Sequence, residues 1–522
     1  MSLVKCELSK NSYRDSVFLM KISSQLGSLE GIVAASVMMA TERNRELFRN
    51  AGLYSPELDQ AKADDLAIVV RGSDEALLEV ALGKAREMLK STSSGDEQQE
   101  AQRAKRLEQV LNEDPSFNLA MISVAGDYAK YEAAKAIKHG INVMLYSDNI
   151  SLEDELSLKE AASCKGLLVM GPDCGTAIIN GIPLAFANRV RNGNISIVGA
   201  SGTGIQEVSC LIHAFGSGIS QAIGTGGRDL KDQIGGITAL AGLNYLAQDS
   251  QTKAITLISK PPGQLVREKI CAFITNSTKP VVVMYVGCDD YTLENKAGAI
   301  TAFTLEEVAI KAVNLVEDKG SVQSKDEQAY ALILEKAAKS INKGRHLRGV
   351  FGGGTLCYEA MHILRPLLGG EEIYSNIPLL GIKTLPNVWQ SQGHTFIDLG
   401  DDEFTVGKPH PMIDPTEKNK RLIQELLNPD TAVVLFDLVI GYGSHEDPAT
   451  EIARAIGKAR AVKDDLGVCI IASVCGTDED SPSRSDQIKK LQSAGVVVMP
   501  SNAQAAMLAG DLIQKNQAKA GR

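Results

Sequence analysis

The chain has 522 residues and a formal net charge of −10, so its overall charge gives no support for binding nucleic acid or an anionic membrane. No stretch approaches the roughly 20 apolar residues of a membrane-spanning helix, and the polar N-terminus does not resemble a signal peptide. The nine cysteines form no Cys-x-x-Cys pair. We therefore expect a cytoplasmic protein with reduced thiols.

The first 90 residues alternate strand-like and helix-like segments in the order β-α-β-α-β-α. The strand-like segments are Val4–Leu8, Ile32–Met39 and Leu66–Val70. This order predicts an N-terminal ferredoxin-like α/β unit over residues 1–90, to which the sequence assigns no function. Residues 91–117 are polar and charged, which is typical of a linker.

Residues 118–193 contain short apolar runs separated by helical segments and are predicted to form a Rossmann-like layer. The third run ends in a turn, at the position where open α/β sheets bind their ligands. The residues of this turn are candidates for cofactor binding: Gly171, Pro172, Asp173 and Cys174. Cys174 could act as a nucleophile, although a lone cysteine after Gly-Pro is more often a small packed residue.

One pattern occurs twice: an apolar strand, a turn of small residues and a helix. The copies are Ile195–Glu207 and Leu347–Glu359. Small residues allow a ligand to approach the backbone, and the first turn of a helix leaves N–H groups without internal partners. Each turn is therefore a candidate anion site, although Ser and Thr there could simply cap the helix. The predicted phosphate-binding residues are Ser201, Gly202, Thr203, Gly353, Gly354 and Thr355.

The correspondence extends beyond these turns. Apolar runs at Ala254–Ile258 and Pro280–Val286 match runs at Ala432–Phe436 and Val468–Val474. Continuous apolar runs that alternate with helices are typical of parallel strands covered on both faces. We therefore predict two flavodoxin-like doubly wound domains, at 194–317 and 346–517, joined by a helical linker at 318–345.

In this order the segments resemble the succinyl-CoA synthetase family. Residues 118–317 look like its alpha subunit, through Met170–Cys174, Ile197–Thr203, Ile223–Gly227 and Lys296–Ile300. Residues 347–517 look like the carboxyl-terminal ligase domain of its beta subunit, through Gly352–Thr355 and Phe396–Gly400. With the N-terminal unit included, the arrangement is most similar to FdrA-type acyl-CoA synthetase-like proteins.

The departures from this family matter as much as the matches. The resemblance implies a phosphohistidine at the position of Lys296 and a glutamate near Lys260. A lysine cannot relay a phosphoryl group as imidazole does, but it can hold a phosphate by its charge. Lys296 and Lys260 are therefore catalytic candidates, and two solvated surface cations are the alternative.

Two parts of the family are missing, which implies partner subunits. No segment resembles the nucleotide-binding ATP-grasp domain, and the glycine-rich loop that opens the family's CoA-binding domain is absent. CoA binding is implied only through Gly171–Gly175.

The loop 398–414 concentrates groups that can transfer protons. Its members are Asp401, Asp402, Glu403, Lys408 and His410. His410 is the third catalytic candidate because imidazole titrates near neutrality, although an exposed acidic turn would look the same. Gly441–Asp447 could also contact a ligand. The spacing of the histidines is not that of a metal site, so no metal is predicted.

The leading hypothesis is an acyl-CoA synthetase-like protein that binds phosphate or an acyl phosphate between two helix N-termini. The FdrA-type resemblance implies an alternative, a carbamoyltransferase subunit that uses carbamoyl phosphate and oxamate in allantoin catabolism. A non-catalytic scaffold or regulatory subunit is the third hypothesis. In each case we expect an oligomer with partner subunits, and in the first two a small anionic substrate.

Overall fold

The computed structural model describes residues 3–12, 14, 16–27, 29–91, 106–124, 126–317, 322–323, 326–342, 344–405 and 408–520. They form two units, one of residues 1–117 with 402–410 and the other of residues 118–401 with 411–522. Within the described ranges, no helix has the length and apolar content that crossing a membrane requires. Most of the predicted linker 91–117 lies outside the described residues.

The first unit contains a three-stranded antiparallel sheet of order β1-β3-β2. Alternate residues of β3 face opposite sides of the sheet, so Ile68 packs with two helices while Val69 packs with Phe48 on the other face. The element order agrees with the prediction, and the ferredoxin-like assignment stays a prediction. The elements are β1 (Leu3–Ser9), α1 (Ser16–Gly27), β2 (Ile32–Met39), α2 (Glu42–Asn50), a 3-10 helix (Pro56–Gln60), β3 (Leu66–Gly72), α3 (Glu75–Ser91), α4 (Leu107–Glu113) and a short helix at Asp402–Thr405.

The second unit begins with a small parallel sheet of order β4-β5-β6. Its elements are β4 (Leu119–Ile122), α5 (Gly126–Lys138), β5 (Asn142–Leu145), α6 (Leu152–Ser163) and β6 (Val169–Met170). Lys159 of α6 is fully buried and pairs with Glu155 at 2.9 Å and with Asp229 at 2.7 Å. Because Asp229 also accepts from the N–H groups of Thr238 and Ala239, this ion pair fixes a helix of the neighbouring sheet.

The first repeat forms a seven-stranded sheet of order β13-β12-β11-β9-β10-β7-β8. The parallel strands β9 to β13 follow the flavodoxin-like order 2-1-3-4-5, as predicted. An antiparallel hairpin, β7–β8, extends the edge. The elements are β7 (Thr176–Ile179), β8 (Ile182–Ala185), β9 (Ile195–Gly199), α7 (Gly202–Ala214), β10 (Ile219–Gly224), α8 (Ile237–Gln248), β11 (Ala254–Ser259), α9 (Gln264–Asn276), β12 (Val281–Tyr285), α10 (Thr292–Ala297), β13 (Ile300–Thr301) and α11 (Leu305–Val316).

The second repeat forms a parallel sheet of order β16-β15-β17-β14-β18-β19-β20. Without β15 and β16, its order matches that of the first repeat. The elements are α12 (Glu327–Ala337), β14 (His346–Phe351), α13 (Gly354–Leu367), β15 (Ile373–Ser375), β16 (Lys383–Thr384), β17 (His394–Asp398), α14 (Thr416–Leu427), β18 (Thr431–Val439), α15 (Pro448–Val462), β19 (Cys469–Cys475), α16 (Arg484–Ser493), β20 (Val497–Met499) and α17 (Asn502–Ala520). The described part of the predicted linker 318–345 includes α12; residues 318–321, 324–325 and 343 lie outside the described residues.

The two repeats share one hydrophobic core. Val208 of α7, Leu356 of α13 and Ala505 of α17 are fully buried members of the same cluster. Removing this apolar surface from water stabilises the pair of repeats as a single body. The relative position of α7 and α13 is therefore set by packing.

We predict that Lys159→Met destabilises the protein by about 3–5 kcal/mol, because it leaves the buried Asp229 without its cation and Glu155 with Arg228 alone. Denaturant unfolding would measure the loss. Lys253→Met, at an exposed position, is the matched control. Equal stability of the two variants would contradict a structural role for the buried ion pair.

Candidate functional site

The structure brings the two predicted turns into contact. The hydroxyl groups of Ser201 and Thr355 are hydrogen-bonded to each other. A Cβ atom added to Gly353 would lie 3.0 Å from the methyl carbon of Thr203. The N-termini of α7 and α13 therefore lie side by side.

The topology explains this meeting. α7 follows β9 and α13 follows β14, and in each sheet this strand lies where the strand order reverses. Such a reversal opens a crevice at the carboxyl ends of the strands. In α7 the Ser201 hydroxyl accepts from the Gly204 N–H at 2.9 Å. The N–H groups of Gly202 and Thr203 precede the first bond within the helix and remain available to a ligand.

In the second turn, a carboxylate already occupies the first two amides. The N–H groups of Gly352 and Gly353 each donate to the carboxylate of Asp437 at 2.8 Å. Lys418 forms an ion pair with the same carboxylate. Gly353 was expected to offer its N–H to phosphate, and this carboxylate already occupies it. The amides of Gly354 and Thr355, at the start of α13, remain available.

Asp398, the last residue of β17, adds a second carboxyl group at this turn and is only 7 % exposed. Its Oδ1 atom accepts from the Gly400 N–H at 2.9 Å. Its Oδ2 atom lies 2.6 Å from the position of a Cβ atom on Gly354. Burial raises the pKa of Asp398 to about 7; the Gly400 bond lowers this pKa, and the charge of Asp437 raises it further.

Lys260 links the repeats at the edge of the site. It follows β11 in the first repeat, and its Nζ atom donates to the hydroxyl of Tyr358 on α13 at 3.2 Å. The same atom lies 4.3 Å from the centroid of the Tyr358 ring, a cation–π arrangement. Desolvation lowers the pKa of Lys260, and the charges of Asp398 and Asp401 oppose that shift.

The other two catalytic candidates are Lys296 and His410. Lys296 is exposed in the last turn of α10, and its charge lowers the pKa of Asp290, a minor contribution beside the bonds from Thr292. His410 is partly buried in the segment 402–410, which belongs to the first unit. A catalytic role for either residue stays a prediction.

The turn predicted to bind a cofactor is largely satisfied from within the protein. The N–H groups of Asp173 and Cys174 donate to the carbonyls of Ser147 and Leu145, at 3.1 and 3.2 Å. Cys174 is 2 % exposed, and burial raises the pKa of its thiol to about 12. Of the four residues only Asp173 is exposed, which favours the packing interpretation of Cys174.

Below the turns, a pair of corresponding glutamates joins the two helices. Glu207 of α7 and Glu359 of α13 are both buried. Asn502, at the start of α17, donates its N–H to Glu207 at 3.1 Å and its side-chain amide to Glu359 at 2.7 Å. Burial raises the pKa of Glu359 to about 8. This bridge holds the helix starts in register.

At the opposite edge of the second sheet, His346, Glu371 and His394 place potential metal-ligand atoms within 4.8 Å of one another. The Nδ1 atom of His394 accepts from the Leu347 N–H at 3.0 Å, so its Nε2 atom carries the proton and donates to Glu371 at 2.7 Å. Metal binding would have to remove that proton. The absence of a metal centre stays a prediction.

Three family models match the chain. A CoA-ligase model matches residues 350–512, a CoA binding domain model matches residues 190–287, and a model named "AllF, heavy metal-associated domain" matches residues 1–106. Those N-terminal residues contain one cysteine, Cys6, and no histidine. Burial raises the pKa of the Cys6 thiol to about 12.

Curated relatives extend the comparison. The uncharacterized protein YahF of Escherichia coli (strain K12) is 44% identical over 98% of this chain and 99% of its own length. The alpha subunit of the ADP-forming succinate–CoA ligase of Methanothermobacter thermautotrophicus is 29% identical, over 34% of this chain and 60% of that subunit. SauD, a subunit of the ADP-forming sulfoacetate-CoA ligase of Bilophila wadsworthia, is 25% identical over 42% of this chain and 77% of its length.

Among solved structures, the dinucleotide-forming acetyl-coenzyme A synthetase 1 of Ca. Korarchaeum cryptofilum covers 77% of this chain and 84% of its own. Its sequence identity is 16% and its TM-score is 0.28. At this level the overlap adds nothing to the fold assignment, which follows from the strand order above.

We predict that Cys174 resists alkylation by iodoacetamide in the native protein at about pH 8. A thiol with a pKa of about 12 is almost entirely protonated there, and the thiolate is the nucleophile. Cys164, which is exposed, is the internal control. Peptide mass spectrometry should find Cys164 labelled first and both labelled in denaturant; equal native rates would contradict the packed position of Cys174.

Proposed function

Because the chain belongs to the FdrA-type acyl-CoA synthetase-like family of the succinyl-CoA synthetase superfamily, we propose that it binds phosphate, or the phosphoryl group of an acyl phosphate, between α7 and α13. The observation that carries this proposal is the contact between Ser201 and Thr355, one from each repeat. It brings two helix N-termini to one place, where a single small anion can reach both.

The electrostatics of the site suit a small dianion. Gly202 and Thr203 offer two amides from the first repeat, and Gly354 and Thr355 offer two from the second. Each helix N-terminus carries a partial positive charge of roughly +0.5. Lys260 adds a full cation at the edge of the site.

This arrangement favours transfer of the acyl group from an acyl phosphate. Such a compound is a mixed anhydride, and phosphate is its leaving group. As the bond between the carbonyl carbon and the bridging oxygen breaks, negative charge grows on the phosphate, where the amides and Lys260 stabilise it. CoA, when bound, supplies the thiol that accepts the acyl group. The described residues thus bind and orient the phosphate.

We further propose that partner subunits complete the reaction. The succinate–CoA and sulfoacetate-CoA ligase relatives are themselves named as subunits of ADP-forming ligases. The sequence of this chain has no ATP-grasp segment, so the nucleotide would be bound by another polypeptide.

One observation favours carbamoyl transfer as a second candidate function. The position implied for the phosphohistidine holds Lys296, an exposed cation at the end of a six-residue helix. Carbamoyl phosphate already carries an activated carbonyl, so its transfer to an acceptor such as oxamate needs no phosphohistidine. The same phosphate site would serve both reactions.

We predict that the full chain binds inorganic phosphate and that Gly354→Leu weakens binding at least tenfold. The new side chain would collide with Asp398 and cover the α13 amides, since even a Cβ atom lies 2.6 Å from that carboxylate. Gly457→Leu, at an open position on α15, is the matched control and should bind like the unmodified chain. Isothermal titration calorimetry would measure the affinities. Unchanged binding to Gly354→Leu, or no binding to the unmodified chain, would contradict the proposal.

The two reactions can be separated with the complex purified together with its partner chains. Acyl transfer requires CoA and releases phosphate from acetyl phosphate in its presence. Carbamoyl transfer requires oxamate and releases phosphate from carbamoyl phosphate without CoA. Phosphate binding with neither release would favour a scaffold or regulatory subunit.

A further inference from the structure

We propose that Asp398 must be protonated for the site to hold an anion, and that its carboxyl group then donates a hydrogen bond from Oδ2 to that anion. This inference rests on the proposed function and adds a specificity-determining residue to the same site. Protonated Asp398 would make the site selective for ligands that carry a negative charge and an atom that accepts this hydrogen bond.

The geometry of Asp398 directs one oxygen toward the ligand. Oδ1 is held by the Gly400 N–H at 2.9 Å. The described residues provide no hydrogen-bond donor to Oδ2, although the residue is only 7 % exposed. Oδ2 lies 2.6 Å from the Cβ position on Gly354, the first residue of α13. Because the described residues leave Oδ2 without a donor, this oxygen can meet a ligand bound at the helix start.

The neighbouring carboxylate cannot play this role. Both oxygens of Asp437 are engaged, because they accept from the N–H groups of Gly352 and Gly353. Lys418 also forms an ion pair with Asp437. Among the described residues Asp398 has no such ion-pair partner, so it is the group that would lose its charge when an anion arrives.

The surroundings of Asp398 favour the neutral acid. The charged and titratable groups that face it from the packed elements are Asp437 on β18, Asp401 after β17, Lys260 after β11, and Cys357 and Tyr358 on α13, with Lys418 on α14 behind Asp437. Burial is the largest influence and raises the pKa; the Gly400 N–H lowers it, the charges of Asp437 and Asp401 raise it, and the charge of Lys260 lowers it. These influences place the pKa of Asp398 at about 7.

The protonation requirement sets how affinity changes with pH. Above pH 7 the acid form of Asp398 becomes scarce, and the apparent affinity falls with its population. At about pH 8.5 only about 3% of the molecules would carry the proton, a loss of about thirtyfold. Asp398→Asn retains the shape of the acid and an N–H donor, so it should not lose affinity in this way.

The test compares phosphate binding to the full chain and to Asp398→Asn by calorimetry at about pH 6.0 and about pH 8.5, at constant ionic strength. At one pH the ionisation of free phosphate is the same for both proteins, so it cancels from the ratio of their affinities. We expect equal affinities at the lower pH and about thirtyfold tighter binding to Asp398→Asn at the higher pH. Asp430→Asn changes an exposed residue immediately before β18 and is the matched control; its affinity for phosphate should equal that of the unmodified chain at each pH.

A second measurement counts protons directly. Titrations in two buffers of different ionisation enthalpy should show that the unmodified chain takes up about one proton more per phosphate than Asp398→Asn at about pH 8.5. If that variant does not fold, uptake by the unmodified chain decides, because free phosphate is almost entirely the dianion at this pH. One proton per phosphate is expected, and no uptake would overturn the inference.

The outcomes separate this inference from the proposed function. If phosphate binds the unmodified chain and Asp398→Asn with equal affinity at both pH values, the role of Asp398 is overturned and the phosphate site stays in place. A failure of phosphate to bind any of these proteins at either pH would overturn both.

Discussion

The contact between two helix N-termini is the constraint on which the rest of this structure depends. The starts of α7 and α13 touch through Ser201 and Thr355, and their partial positive charges repel each other. Negative charge must therefore be present, and Asp437 supplies part of it by accepting two amides of the second turn. The amides that remain, with Asp398 beside them, define the anion site that we propose.

Packing holds this unfavourable arrangement in place. One hydrophobic core runs through both repeats, and Asn502 bridges Glu207 and Glu359, which occupy equivalent positions on the two helices. The repeats match in strand order and in this glutamate pair, but they differ at the turns. Ser201 caps α7, whereas Asp437 covers the turn before α13. The proposed site is thus asymmetric, because the Asp398 carboxyl group lies beside the start of α13.

Local patterns in the sequence account for much of the fold. Continuous apolar runs predicted the parallel strands, and the repeated turns predicted the helix starts. The β7–β8 hairpin was missed, although Asn180 and Gly181 between two apolar runs are its turn signal. Asp398 and Asp437 lie far from Gly354 in sequence, so only the folded sheet reveals that they converge there. The family resemblance singled out both Lys260 and Lys296, yet only the fold shows that Lys260 reaches α13.

The most direct test of the account is a disulfide between the two turns in the double variant Ser201→Cys, Thr355→Cys. Their hydroxyl groups are hydrogen-bonded, so the new thiols should lie within reach of each other and form a disulfide under mild oxidation. Mass spectrometry of non-reduced peptides should find residues 201 and 355 cross-linked in the native protein. Two reduced thiols at these positions, in a sample whose exposed Cys164 has reacted with the oxidant, would contradict the meeting of the helix starts.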